Sequence, residues 1–279
     1  MKMDKKVAIQ GYEGSFHHIV AEQYFGSGTK ILPCDTFRQV AMAVEEGDAG
    51  YGVMAIENSI AGSIISNYNI LQNDNLQVAG EAYLSIKQNL LALPGVKAEQ
   101  VEEVHSHYIA LQQCQDFLDT RKWRLVESED TALSAKRIAV NGNRSRAAVA
   151  SVLAAKLYGL EVIAPEINTV KTNYTRFMIL KRFDHTIAPD SDKASLYFKT
   201  DHRQGALLRV LRQMEDSSIN LTKLQSYPIP AEPWNYLFHV DMEFDTLHDY
   251  ICTLDRLQDV AQSIHVYGVY KKGCELESN

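Results

Sequence analysis

The chain has 279 residues, 46% of them hydrophobic, and a formal charge of −7 from 28 Lys and Arg against 35 Asp and Glu. A chain of this length buries enough surface to fold without a metal or a disulfide, and its length favours two domains over one. The acidic balance argues against a nucleic acid or an anionic membrane as partner, since both require a basic face. A small anionic substrate stays compatible with it, because such a substrate needs only a local cation.

The cysteines and the first residues predict a reduced, cytoplasmic protein. Cys34, Cys114, Cys252 and Cys274 are scattered, and they form no zinc-type spacing with the histidines. The N-terminal residues contain no apolar stretch of the signal-peptide kind. No apolar run approaches the ~20 residues that cross a bilayer, so we expect no membrane partner.

The first two-thirds of the chain alternates short apolar runs with helical patterns. Residues 7–10 form a predicted strand, which a glycine-containing turn connects to a helix around residues 15–26. Apolar residues at i, i+3, i+4 and i+7 predict a helix over residues 37–44, ended by Gly47. Residues 51–56 are almost continuously apolar, which is typical of a strand buried on both faces of a parallel sheet. This alternation predicts an α/β fold.

The middle of the chain repeats the alternation with new elements. Two strands are predicted within residues 76–93, and two helices near residues 131–140 and 146–158. We therefore expect two α/β lobes, the second inserted in the first. The predicted boundaries are residues 1–78 and 160–184 for lobe one, 79–159 for lobe two, and 1–184 for the whole domain.

The C-terminal part of the chain has a different order of elements. A polar stretch over residues 184–192 contains Pro189 and is predicted to be a linker. Residues 193–272 then follow the order βαββαβ, which is the ferredoxin-like arrangement. The sequence therefore predicts a second, smaller domain.

Three polar clusters follow predicted strands, which is where ligands bind in open α/β sheets. Residues 11–17, GYEGSFH, suit an anion at a helix N-terminus, or an ordinary strand-to-helix turn. Residues 57–62, ENSIAG, suit polar recognition, or helix capping by Asn58 or Ser59. Residues 171–177, KTNYTRF, offer a hydroxyl and a guanidinium to a ligand, or an arginine that extends from a strand end. Each cluster by itself leaves both interpretations open.

Taken together and in this order, the clusters resemble the motifs of a known enzyme family. The series GxxGSF, IENS, SHxxALxQC and NxTRF, followed by a βαββαβ tail with GALL, resembles the prephenate dehydratase family over roughly residues 5–272. The resemblance implies a two-lobed catalytic domain, with lobes like those of periplasmic binding proteins, and a C-terminal ACT domain. No helical chorismate-mutase segment precedes residue 6, so we expect a monofunctional member.

The resemblance also implies the chemistry and the residues that perform it. The implied reaction converts prephenate to phenylpyruvate with loss of CO2 and water, and it uses no cofactor and no metal. The chain accordingly has no P-loop and no dinucleotide fingerprint. Thr175 is implied to assist departure of the ring hydroxyl, and Arg176 to anchor a carboxylate. The other implied substrate-binding residues are Phe177, Asn58, Glu57, Ser59, Ser106, Gln113 and Ser15.

Two histidines are notable beside this pattern. His17 stands where relatives commonly carry a small hydroxyl residue, which is a departure from the family. His107 is a tempting general acid, but a histidine at a helix start is often a cap. The implied chemistry centres instead on Thr175.

The tail resembles an ACT domain, a module that binds amino acids, and the implied effector is phenylalanine. The implied effector-binding residues are Gly205, Ala206, Leu207, Leu208, Gln225 and Ser226. QSYP at residues 225–228 replaces the ESRP of relatives, which removes one acidic and one basic residue. Paired ACT domains usually form a continuous sheet, so we expect a homodimer or a homotetramer.

Two other functions share many of these features. Dehydration of arogenate in place of prephenate uses the same motifs and differs only in the amino group recognised. A noncatalytic regulator that binds an amino acid would keep the two lobes and the ACT domain. Thr175, Arg176 and Phe177 together with Asn58 favour the enzyme, because a sensor has no use for a hydroxyl at the leaving group.

Overall fold

The structure is a computed structural model, and it describes residues 6–217, 219–229 and 235–277. The first five residues of the predicted domain 1–184 therefore lie outside the described residues. The described residues form two compact units. The first comprises the residues up to 70, residues 82–179 and those from 274 onward, and the second comprises residues 71–81 and 180–273.

The first lobe of the first unit is built on a mixed sheet. Within the described residues its strands are β1 (Val7–Gln10), β2 (Ile31–Cys34), β3 (Tyr51–Asn58), β4 (Gly62–Ser63), β5 (Leu76–Ser85), β11 (Tyr174–Arg182) and β16 (Glu275–Leu276). Their order is β16-β5-β11-β3-β1-β2, and β4 pairs with β3. β1 is parallel to both of its neighbours. The helices of this lobe are α1 (Phe16–Phe25), α2 (Phe37–Glu46) and α3 (Ile65–Leu71).

Helix α2 illustrates how local sequence sets these elements. Thr36 caps its N-terminus in a capping box with Gln39, so two backbone N–H groups gain side-chain partners. Gly47 ends the helix in the left-handed conformation at φ 90°, which glycine adopts without strain. Val40 and Val44 are buried against the sheet. The helix predicted over residues 37–44 is confirmed.

The second lobe is built on a separate sheet. Its strands are β6 (Asn89–Ala92), β7 (Glu103–His107), β8 (Arg124–Ser128), β9 (Arg146–Ala150) and β10 (Glu161–Ala164), in the order β10-β6-β9-β7-β8. The helices that accompany this sheet are α4 (Tyr108–Gln113), α5 (Gln115–Leu118), α6 (Thr131–Asn141) and α7 (Val152–Tyr158), with a short 3-10 helix at Ala98–Gln100. The predicted α/β class is confirmed for both lobes.

Two predictions about this region are wrong. The helix predicted over residues 146–158 begins only at Val152, because residues 147–150 are fully buried and form the middle of strand β9. Strand β10 pairs with β6, so residues 161–164 belong to the second lobe and not to the first. Strand β5 in turn belongs to the first sheet, which moves the start of the second lobe beyond residue 85.

The C-terminal sheet has the predicted βαββαβ order. Its elements are β12 (Lys193–Lys199), α8 (Ala206–Glu215), β13 (Asn220–Pro228), β14 (Tyr236–Glu243), α9 (Leu247–Gln258) and β15 (Ser263–Tyr270). The strands are antiparallel in the order β13-β14-β12-β15, which is a ferredoxin-like sheet. Apolar residues of both helices, including Val210, Met214 and Leu257, pack on one face of it.

Among residues 6–217, 219–229 and 235–277, no helix has the length and apolar character that crossing a lipid bilayer requires.

Candidate active site

The two lobes of the first unit enclose a cavity of about 240 Å³. Its apolar lining includes Phe16, Phe37, Ile64, Ile86 and Phe177. Its polar lining consists of Gln10, Ser15, His17, Asn58, Gln88, His107, Gln113, Glu129, Asp130, Thr131 and Thr175. The cavity thus combines a wall suited to a carbon ring with several hydrogen-bonding groups.

Asn58, at the end of β3, holds the side chain of Thr175 in place. Its amide nitrogen donates to Thr175 Oγ1 at 2.9 Å and to Asn173 Oδ1 at 2.7 Å. Its amide oxygen accepts the backbone N–H groups of Ile60 at 3.0 Å and Ala61 at 2.9 Å. Both ends of the amide are therefore engaged, and this fixes which end faces the hydroxyl.

The same strand end is tied to β11 by a second pair of bonds. The N–H of Ser59 donates to the carbonyl of Tyr174 at 2.8 Å, and the N–H of Tyr174 donates to Ser59 Oγ at 2.9 Å. These reciprocal bonds lock the turn after β3 against the residue that precedes Thr175. The hydroxyl of Thr175 is consequently held by neighbours that have little freedom to move.

Ser15 contributes from the N-terminus of α1. Its side chain accepts the N–H of His18 at 3.3 Å and caps the helix. Gly14 has φ 88°, and a Cβ there would lie 2.8 Å from Ala154 Cα in the second lobe. Ser151 Oγ also donates to the carbonyl of Gly14 at 2.6 Å. The turn before α1 therefore requires glycine for close contact between the lobes.

The second lobe supplies His107, Gln113 and Asp130 to the cavity. His107 caps α4, and its Nδ1 accepts the N–H of Ile109 at 3.3 Å. Asp130 caps α6, and its Oδ1 accepts the N–H of Leu133 at 2.8 Å. The side chains of His107 and Asp130 are thus each fixed by the start of a helix.

Burial and neighbouring charges set the protonation of three lining residues. Burial raises the pKa of Asp130, although its bond from the Leu133 N–H acts in the opposite direction. Hydrogen bonds from Arg137 hold the pKa of Glu129 at about 2. Burial lowers the pKa of His17 to about 3, so this imidazole is neutral near pH 7. Among the described residues that line the cavity there is no lysine or arginine.

The structure brings five of the sequence-predicted substrate residues to this one cavity. They are Thr175, Phe177, Asn58, Ser15 and Gln113. These residues come from β11, β3, the N-cap of α1 and α4, and are as much as 162 positions apart in the chain. The fold therefore brings residues of these separate sequence motifs to one cavity.

Four of the predicted residues are not among those that line the cavity. Ser106 is fully buried on β7, and its hydroxyl donates to the carbonyl of Val149 on the neighbouring strand β9 at 2.6 Å. Arg176 is 5% exposed, with its guanidinium 6.0 Å from the ring centre of Tyr83. Alternation along β11 turns it away from Thr175 and Phe177. Glu57 pairs with β4, and Ser59 is occupied by Tyr174.

Other lining residues were missed in the sequence. Gln10 ends strand β1 directly before the first polar cluster, Gln88 lies just before β6 with no motif around it, and Thr131 resembles an ordinary first residue of a helix. Glu129 and Asp130 carried one usable signal, since an acidic residue before an apolar helical pattern marks an N-cap. That signal predicts a cap and says nothing about a cavity.

The C-terminal unit contains a separate pocket of about 360 Å³ at the start of α8. Ala206 and Leu207 line it, as predicted. Its other lining residues are Thr200, Asp201, His202, Arg203, Gln204, Asn235, Tyr236 and Phe238. Gly205 caps the helix at φ 76°. Four predicted effector residues do not line the pocket: Gly205, Leu208, which is 54% exposed, and Gln225 and Ser226 on strand β13.

Comparison with solved structures finds the same fold elsewhere. A protein described as GqqA, a novel type of quorum quenching acylase, is 29% identical with a TM-score of 0.87, over 96% of this chain and 98% of that one. The prephenate dehydratase of Arthrobacter aurescens, solved in complex with L-Phe, is 24% identical with a TM-score of 0.85. That match covers 95% of this chain and 89% of the other, and it supports the fold alone.

Comparison of sequences gives the family. The bifunctional chorismate mutase/prephenate dehydratase of Aquifex aeolicus is 35% identical over 96% of this chain and 74% of its own length. An arogenate dehydratase/prephenate dehydratase of Arabidopsis thaliana is 36% identical over 95% of this chain and 72% of its own length. The family model for prephenate dehydratase matches residues 7–185. The chain is therefore a dehydratase of the lyase type, and it belongs to the prephenate dehydratase family.

Proposed function

We propose that this enzyme converts prephenate to phenylpyruvate in the cavity of the first unit. In this reaction the bond from the ring to its carboxylate breaks, and the electron pair moves into the ring. The bond from the ring to the hydroxyl then breaks, and the departing oxygen takes up one proton to leave as water. The products are phenylpyruvate, CO2 and water, so the balance requires one proton and no oxidant or reductant.

The observation that carries the proposal is the hydrogen bond from the Asn58 amide to Thr175 Oγ1. Because the Asn58 nitrogen donates, it occupies a lone pair of the hydroxyl and leaves the Thr175 O–H free to donate. A hydroxyl that accepts one hydrogen bond is also a stronger donor. Such a group stabilises a departing oxygen by donating a hydrogen bond to it. It does this without acting as a readily ionised acid.

Neutral donors are available for the carboxylates of the substrate. Ser15, Phe16 and His17 line the cavity, so the N-terminus of α1, a favourable position for an anion, borders it. Gln113 and Gln10 add side-chain amides. Phe177 and Phe37 offer faces to the ring. In this proposal Thr175 assists the leaving oxygen, while Asn58 positions the hydroxyl of Thr175.

Arogenate is a second candidate substrate, and one observation favours it. Asp130 and Glu129 line the cavity, and the described lining residues include no lysine or arginine. Arogenate carries an ammonium where prephenate has a keto group, so its net charge is less negative. A buried carboxylate pairs well with an ammonium and poorly with a dianion.

Amide hydrolysis, the activity named for one structural relative, requires a different arrangement. A threonine nucleophile needs a base that takes its proton. The side chain bonded to Thr175 Oγ1 is the amide nitrogen of Asn58, which is a donor. This bond favours dehydration over acyl transfer.

We also propose that phenylalanine binds at the start of α8 and regulates the enzyme. Support comes from the 360 Å³ pocket that Ala206 and Leu207 line, and from the L-Phe complex of the Arthrobacter relative.

The proposed boundaries are residues 1–184 for the catalytic domain and 193–272 for an ACT domain. The exposed edge strand β13 supports a homodimer or homotetramer, since none of its residues is buried. Four unpaired cysteines suit a reducing, cytoplasmic setting.

A spectrophotometric assay with purified enzyme tests the catalytic proposal. Prephenate and arogenate are supplied separately, and phenylpyruvate and phenylalanine are measured as the respective products. An N-acyl amide is the third arm. Turnover of prephenate supports the first candidate and turnover of arogenate the second. If only the amide is cleaved, the dehydratase proposal is wrong.

A further inference from the structure

Two buried polar atoms in the cavity have no hydrogen-bond partner among the residues that the structure describes. One is Nε2 of His17, the other is Oε1 of Gln88, and both residues line the cavity that contains Thr175. Gln88 is 3% exposed. More than nine-tenths of buried polar groups in proteins are paired, and each exception costs stability. Two exceptions in one cavity of about 240 Å³ require an explanation.

The surroundings of His17 give it no internal partner. Its ring packs against Phe177 edge-on with 5.0 Å between centroids, and against Phe37 at 5.4 Å. Both neighbours are hydrocarbon rings, so they offer the imidazole nitrogens no conventional hydrogen bond. They do hold the ring at a fixed angle beside Phe177, which lies two positions from Thr175 on the same face of β11.

The charge state of His17 defines what it can offer to a ligand. Burial holds its pKa near 3, so the imidazole is neutral in the working range of an ordinary enzyme. A neutral imidazole presents one donor and one acceptor, and it adds no charge to the site. The acidic residues of the cavity therefore do not pair with it as ions.

Gln88 is held by its backbone, and its side chain is left for the cavity. Its N–H donates to Asn168 Oδ1 at 2.7 Å, and its carbonyl accepts the N–H of Ile167 at 2.8 Å. These bonds fix the residue at the entry to β6 without using the side-chain amide. A substitution of the side chain alone therefore leaves the anchoring bonds intact.

We infer that His17 and Gln88 form a polar pair that hydrogen-bonds the substrate during dehydration. The inference rests on the proposed function and adds two substrate-contacting residues to it. The carboxylate and keto oxygens of prephenate can accept a hydrogen bond from the neutral imidazole of His17, and its ring hydroxyl can donate to Gln88 Oε1.

The test compares activity with stability in substituted enzymes. His17→Phe keeps an aromatic ring and removes both nitrogens, while Gln88→Met keeps the length of the side chain and removes the amide. Each is expected to lower kcat/KM for prephenate about 10- to 100-fold, the value of one hydrogen bond to a charged group. Each is also expected to keep or raise Tm, because an unpaired buried polar atom is removed. His17→Gln, which retains a donor and an acceptor, should recover part of the activity.

His18→Phe calibrates the stability readout. His18 Nδ1 accepts the N–H of Gly14 at 3.1 Å, so its replacement removes a satisfied buried bond and should lower Tm. If His17→Phe and Gln88→Met retain the wild-type kcat/KM, the pair binds nothing in the reaction and the inference is wrong. If their activity falls together with Tm as for His18→Phe, the role is structural and the inference is equally wrong. Absence of turnover by the wild-type enzyme would instead refute the proposed function.

Discussion

The cavity that contains Thr175 and the pocket at the start of α8 differ in how their polar groups are held. In the cavity, Thr175 and Asn58 are each 8% exposed and are bonded to one another and to the turn after β3. In the pocket, Arg203 and Gln204 are exposed residues of a short connection. The first site is preorganised, as transition-state stabilisation requires. The second has room to adapt to an effector, and this contrast predicts which substitutions have the larger effects.

Removal of the Thr175 hydroxyl is the largest effect we expect. Thr175→Val keeps the branched shape and should lower kcat for prephenate about 10²- to 10³-fold, which is typical for loss of one preorganised donor. KM should change little, since the contact strengthens only as the oxygen departs. Thr175→Ser, which keeps the hydroxyl, is the matched control in steady-state assays of phenylpyruvate formation. An unchanged kcat in the valine variant would contradict the assigned role.

Asn58→Asp tests whether the hydrogen bonds that the Asn58 amide donates contribute to catalysis by Thr175. A carboxylate still accepts the N–H groups of Ile60 and Ala61, but it cannot donate to Thr175 Oγ1 or Asn173 Oδ1. We expect a loss of about 10- to 100-fold in kcat, because Asn173 Oδ1 and the Tyr174 carbonyl would then face an acceptor and the Thr175 O–H would donate to the new carboxylate instead of to the substrate. Circular dichroism should show that the variant is folded. Full activity in the aspartate variant would show that Thr175 needs no positioning partner.

Substitutions in the C-terminal pocket should act on the effector and spare the basal rate. Leu207→Gln alters a residue that lines the pocket, whereas Leu208→Gln alters its 54% exposed neighbour. Because a polar group then meets the apolar side of the ligand, we expect about tenfold weaker phenylalanine binding for Leu207→Gln alone. Isothermal calorimetry measures both. Equal binding by the two variants would place the effector elsewhere.

Arg176→Lys separates packing from substrate binding at the residue next to Thr175. The guanidinium lies over Tyr83, and an ammonium packs less well on a ring. If Arg176 acts through this contact, Tm falls and kcat/KM for prephenate stays within about threefold. A rise in KM of tenfold or more would instead show that Arg176 reaches a substrate carboxylate, as the family resemblance implies.

These residues also show what the sequence can and cannot predict. The fold class and the βαββαβ tail followed from periodicity, whereas the meeting of Asn58 with Thr175 was implied by the family resemblance. The sequence did not reveal that Arg176 faces away from Thr175, because both belong to one motif and only the pleat of β11 separates them. His17 was noticed as a departure, but its missing partner depends on Phe37 and Phe177, which come together only in three dimensions.

The smallest effect we predict concerns pH and the carboxyl of Asp130. Burial raises its pKa in the folded protein, so the folded state binds this proton more tightly than the unfolded state. Stability at this site therefore falls as pH rises through the raised pKa, since ionisation of the buried group is unfavourable. Asn caps a helix about as well as Asp, so Asp130→Asn removes the charge and keeps the bond to the Leu133 N–H.

Urea unfolding at pH 4 and at pH 7 measures this effect. Relative to the wild type, Asp130→Asn should gain more unfolding free energy at pH 7 than at pH 4, because ionisation of the buried carboxyl in the wild type increases as the pH rises. Glu129→Gln is the contrasting variant. Bonds from Arg137 lower the pKa of Glu129 to about 2, so the charge of that residue is paired and its removal should bring no gain at pH 7. If the two variants gain equally, burial does not set the charge of Asp130, and that carboxylate is as well solvated as one on the protein surface.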